Sequence, residues 1–129
     1  MTTIKVCPLI SVDGIPFGTS RADVRNACGN DFREFKKSTF SKNTSDDYGT
    51  FHVFYDKNNC MNAIEFFEGA TVYVGSTQVF PANLKTVSRV FENLREDGGS
   101  YTSIEDSVSF TLAGENIECI LFGTKGYFA

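Results

Sequence analysis

A chain of 129 residues with 12 Lys and Arg against 16 Asp and Glu, net charge −4, can bury one core and lacks the cationic surplus of a nucleic-acid binder. With 41% hydrophobic and 22% charged residues it reads as a single globular domain over 1–129, not a disordered tail. No apolar run approaches the ~20 residues of a membrane helix, which excludes that class.

The opening stretch 1–10 is broken too early by Ser11, Asp13 and Gly14 for a secretory signal. Thr2 and the final Gly126, Tyr127, Phe128 and Ala129 carry no lipidation box, so a cytoplasmic chain is expected. Cys7, Cys28, Cys60 and Cys119 are widely spaced without a C-x-x-C pair, which reads as reduced thiols rather than disulfides or metal ligands. Charge is uneven: residues 1–42 hold seven Lys/Arg against four Asp/Glu, and residues 43–129 hold five against twelve. That acidic two-thirds disfavours nucleic acid and favours a basic partner, with simple solubility as the plainer explanation.

In chain order, the first element is a helix starting at Ser20. Asp23 lies at capping-box spacing, Val24, Ala27 and Cys28 share one face, and Gly29 supplies the stop. Residues 30–47 are polar, with Phe32, Phe35 and Phe40 as isolated anchors. They predict a short strand or irregular arm, then a loop at 41–47. Alternation over 48–55 predicts a strand, followed by a turn at 56–59 and strands at 60–68 and 70–75. After Pro81, Leu84, Val87, Val90, Phe91 and Leu94 form the stripe of a second helix capped by Asn83. Strands at 107–112 and 117–122 follow, and the tail beyond Gly123 reads as surface or edge.

Phe17, Val24, Ala27 and Cys28 match Phe80, Val87, Val90 and Phe91 at an offset of 63. The hairpin 55–64 matches 112–121 at an offset of 57. Internal repeats at 14–75 and 78–122 are therefore expected. They imply an α+β fold in which two helix–hairpin units form one antiparallel sheet with the helices packed on one face.

Motifs for catalysis are missing. His52 is the single histidine and sits mid-strand, where a structural role is the plain reading. The chain has no Gly-x-Ser-x-Gly turn, His-Glu-x-x-His helix, phosphate cradle or EF-hand loop. A binding protein is expected rather than an enzyme, with no cofactor and no metal. Period two directs Phe51, Val53, Tyr55, Ile64, Phe66, Val72, Val74, Val108, Phe110 and Leu112 toward the helices. The opposite face would then carry His52, Phe54, Met61, Glu65, Phe67, Tyr73, Glu118 and Phe122. Rings mixed with carboxylates read as a recognition surface, the alternatives being a sheet buried on both sides or a homodimer across this face.

The segments 14–29 (GIPFGTSRADVRNACG) and 48–68 (YGTFHVFYDKNNCMNAIEFFE) resemble bacterial two-repeat domains. These include the β-lactamase-inhibitor-protein and outer-membrane assembly lipoprotein types. In a chain of this length without a lipoprotein signal, the resemblance is to immunity proteins of toxin systems, including contact-dependent growth inhibition. It is one of pattern and not of matched residues. It implies a cytosolic protein that binds and neutralises a cognate toxin domain, commonly a basic nuclease. Asp46, Asp47, Tyr48, Glu65, Phe67, Tyr73, Glu105 and Asp106 are the expected contacts, carboxylates standing in for phosphates and rings anchoring. A self-associating scaffold is one rival reading. Another is a small-ligand or enzymatic domain with a pocket gathering His52 and carboxylates.

Overall fold

Every long apolar strand in this chain needs a second sheet to cover it, and the molecule supplies one. The computed structural model describes residues 3–129; Met1 and Thr2, part of the stretch weighed above as signal and acylation site, lie outside the described residues. β1 (Thr3–Cys7), β2 (Ser11–Val12), β3 (Ile15–Pro16), β8 (Thr71–Val74) and β9 (Thr77–Phe80) form a five-stranded sheet in the order β3-β2-β1-β8-β9. The larger sheet uses β4 (Arg33–Phe35), β5 (Ser45–Asp47), β6 (Phe51–Tyr55), β7 (Met61–Phe66), β10 (Arg95–Asp97), β11 (Ser100–Ser103), β12 (Val108–Ala113) and β13 (Asn116–Gly123). Its order is β10-β11-β12-β13-β7-β6-β5-β4.

The expected α+β fold, one antiparallel sheet with helices on one face, is therefore corrected. Strand accounts for 46% of the chain and helix for 9%, and the two sheets make a β-sandwich-like fold. Ile4, Val6, Val72 and Val79 of the smaller sheet share one buried core with Val53, Ile64, Phe66, Phe110, Ile120 and Phe122 of the larger. The hydrophobic effect is thus satisfied sheet against sheet. Ladders are antiparallel except β1 with β8, where Ile4 lies opposite Val72.

Two short helices punctuate the strands. α1 (Arg21–Cys28) starts as its residues demand: Ser20 Oγ accepts from the Asp23 N–H at 3.3 Å, and the Gly29 N–H reaches Arg25 O at 2.8 Å. α2 (Leu84–Val87) is a single turn capped by Asn83 Oδ1 on Thr86 N at 2.9 Å. The long second helix does not form. Ser88 Oγ donates back to Leu84 O at 2.7 Å and Asn93 takes a left-handed φ of 54°, so the chain turns where the stripe promised helix. Phe91 is still buried in the core. No helix of the described residues is long and apolar enough to cross a membrane.

The larger sheet consists of two four-stranded meanders, β4–β7 and β10–β13, that meet along β7 and β13 with Phe66 opposite Ile120. The helix-capping residue of each half makes an isolated bridge near its last strand, Ser20 with Cys60 and Asn83 with Asn116. Register breaks at Phe54/Tyr55 and at Thr111/Leu112 bend the two hairpins. A bulge inserts a residue and resets the in–out parity beyond it. For that reason Met61 and Phe122, expected on the open face, lie in the core.

Candidate partner-binding face

The ladders of the larger sheet place one residue from each strand in a single cross-strand row. It runs Arg33, Asp47, His52, Glu65, Leu121, Ser109, Thr102 and Arg95. His52 lies between Phe51 and Val53, both buried in the core, so alternation turns it and its row to the opposite face. The core fixes this face from behind, since a slip of one residue would bury the whole row.

At the centre, the His52 ring lies between Phe35 and Phe67, with centroids 4.7 and 4.5 Å away. Asp47 Oδ1 is 3.3 Å from His52 Nε2, and Arg33 Nη2 is 3.8 Å from Asp47 Oδ2. Glu65 is the direct cross-strand neighbour of His52 and forms no ion pair among the described residues. Cys119 and Thr111 continue the surface, Sγ and Oγ1 being 3.3 Å apart. Burial pushes the Cys119 thiol up, which makes it a poor nucleophile. The patch pairs aromatic area with a carboxylate that has no cation of its own.

Of the expected contacts, the structure brings Asp47, Glu65 and Phe67 together here. It puts the others elsewhere. Asp46 points inward and is fully buried, bound by Arg25 and by the Tyr55 hydroxyl at 2.8 Å. Burial would raise its carboxyl, but hydrogen bonds from Arg25 and Tyr55 outweigh this and hold it below the usual carboxylate range. Arg21 completes that cluster. Its Nη1 is 3.7 Å from Asp46, its guanidinium lies 4.0 Å from the Tyr55 ring centroid, and it bonds Asn59 and Thr44.

Tyr48 stacks on Phe51 at 4.8 Å and donates to Gly29 O at 3.1 Å. Tyr73 belongs to β8 and hence to the smaller sheet, not to the face that carries Glu65. Glu105 is exposed in the turn after β11, and Asp106 holds that turn by accepting from the Glu92 N–H at 2.8 Å. Sequence reasoning missed Leu121 and Cys119, and it read Phe35 only as an isolated anchor. Their signal was the pairing of β4 with β5 and the bulge in β13, neither of which a local pattern announces.

Among the described residues no group of three His, Cys, Asp or Glu converges as a metal site. No protein-family model matches the chain, and no curated protein or solved structure matches it at a significant level.

Proposed function

We propose that the chain is a binding protein of the immunity type, which neutralises a basic toxin domain in the cytoplasm by docking it on the outer face of the larger sheet. The observation that supports this reading is the cluster of Phe35 and Phe67 around His52, whose direct cross-strand neighbour Glu65 has no ion-pair partner among the described residues. Rings supply rigid contact area at low entropic cost, and a carboxylate facing a partner's Lys or Arg sets register and speeds encounter. The net charge of −4 adds the same sign at long range. No catalytic role is assigned to the Asp47–His52 pair.

The test is affinity for, and growth rescue from, the product of the neighbouring reading frame; a product that is not toxic overturns the reading. Glu65→Lys with Phe67→Ala should weaken binding by about 2–4 kcal/mol and abolish rescue while the folded spectrum is retained. Unchanged affinity removes this face from consideration. A concentration-dependent dimer dissolved by the same substitutions would identify a second copy as the occupant and overturn the reading.

A further inference from the structure

One pocket runs against the overall charge of the molecule. It lies between the arm after β4, which carries Lys37 and Lys42, and the β6–β7 turn, which carries Lys57, and its volume is about 220 Å³. Phe54 and Tyr127 line it with aromatic surface. Lys37 is held over that surface: its Nζ is 4.5 Å from the Phe54 ring centroid and 5.7 Å from that of Tyr127, and it donates to Tyr127 Oη at 3.1 Å. Tyr127 rests in turn on Gly123, where a Cβ would come within 2.6 Å of the ring. The C-terminal turn therefore forms a wall of the pocket.

The charges here are unbalanced. Lys37, Lys42 and Lys57 are exposed, and none of them forms an ion pair among the described residues. Among the described residues the only carboxylate in the lining is that of Asp56, whose Oδ1 already accepts from the N–H groups of Asn58 and Cys60 at 2.9 and 3.1 Å. A concave site with three lysines against one engaged carboxylate concentrates anions. Asn62 also lines the pocket, and its Oδ1 is buried without a hydrogen-bond partner among the described residues. That acceptor is closed to solvent in the free chain, so a ligand's hydroxyl or N–H reaches it when the Asn62 side chain rotates toward the cavity, and the hydrogen bond it lacks favours that rotation.

We infer that this pocket binds a small phosphate monoester, the phosphate held by Lys37, Lys42 and Lys57 and a hydroxyl or N–H of the ligand donating to Asn62 Oδ1. Three ammonium groups with rotatable donors suit a dianionic tetrahedral group, whereas a planar carboxylate is better matched by a bidentate guanidinium. The volume lies below the ~300–1,000 Å³ of sites for drug-sized ligands, so the organic part is small. This site adjoins the sheet face proposed for a protein partner, because Phe54 also packs near Phe35 and His52, with centroids 6.4 and 6.3 Å away.

The experiment is an NMR titration of the full chain with glycerol 3-phosphate, glycerol and inorganic phosphate at constant ionic strength. Saturable shifts at Lys42, Lys57 and Asn62 are expected with glycerol 3-phosphate, weaker binding with inorganic phosphate, and none with glycerol. Lys42→Ala with Lys57→Ala, both exposed positions, should lower affinity for both phosphates about tenfold or more. Asn62→Ala should weaken glycerol 3-phosphate selectively and leave inorganic phosphate unchanged. Absence of saturable shifts, or undiminished affinity in the lysine variant, overturns the site. Equal affinity for the two phosphates in the unaltered chain overturns the role of Asn62.

Discussion

Arg25 meets both carboxylate oxygens of Asp46, Nη2 to Oδ1 at 2.7 Å and Nε to Oδ2 at 2.9 Å, and so ties α1 to β5. Removing Asp46 leaves Arg25 with Glu34 alone and strips the buried Arg21 and Tyr55 of the carboxylate they share. Asp46→Ala should destabilise the chain by about 3–5 kcal/mol, read as a lower urea midpoint at unchanged slope. Replacing Arg25 and Asp46 together by apolar residues should cost less than the two single losses added. Strict additivity would show that the pair is not coupled.

The same pair sets the acid limb of stability. Asp46 is held below the usual carboxylate range once folded, so its contribution is complete above the unfolded value of ~3.9. It disappears as pH falls through the lower folded value. Asp46→Asn should flatten the loss of stability below about pH 4. An identical acid limb in that variant would assign the effect to other carboxylates.

Gly123 and Tyr127 make a third prediction. A Cβ on Gly123 would lie 2.6 Å from Tyr127 Cγ, so Gly123→Ala should displace the C-terminal turn and cost about 1–3 kcal/mol. In a Tyr127→Ala background the same change should cost little, because the clashing ring is gone. Equal costs in the two backgrounds would mean that the ring does not pack as described.

Thiol labelling in the folded state should distinguish the cysteines. Cys7 is exposed and should react first. Burial raises the Cys28 and Cys119 thiols, lowering their thiolate fraction, so both should lag until denaturant is added. Fast modification of Cys119 by mass spectrometry would contradict its placement against Thr111.

Alkaline titration should find Tyr48 reluctant to ionise. Burial pushes it up to about 12, above the unfolded value of ~10. Its contribution to stability is therefore intact below ~10 and lost as pH rises through about 12. Tyr48→Phe should remove the late phenolate step from the absorbance curve.

α1 was legible because Ser20, Asp23 and Gly29 spell its start and stop, and β6, β7, β12 and β13 because alternation and turn residues frame them. β5 was not. Reading 41–47 as loop hid the fact that neighbouring strand residues point to opposite faces, which sends Asp46 into the core and Asp47 to the surface. Tyr73 was misplaced because the chain leaves the larger sheet at Gly69. The φ of that residue is +105° and a Cβ on it would come within 2.8 Å of Thr50 Cγ2, a turn that no hydrophobic pattern encodes. The fold class was misread because the second sheet was hidden: β2 and β3 are two residues long and carry no alternation to find, and Ile4 of β1 has its partner as far along the chain as Val72. The lysine pocket draws on segments as far apart as Lys37 and Tyr127, beyond the reach of local patterns.

The larger sheet ends at β4 on one side and β10 on the other, each only three residues long. Arg33 and Glu34 mark the first rim; Arg95, Glu96 and Asp97 make up the second. Such brief, ionic borders offer an incoming peptide few hydrogen-bonding rungs and repel a flat apolar strand. Strand addition is thus discouraged at both flanks of this sheet, which leaves side-chain contact as the way to associate with it.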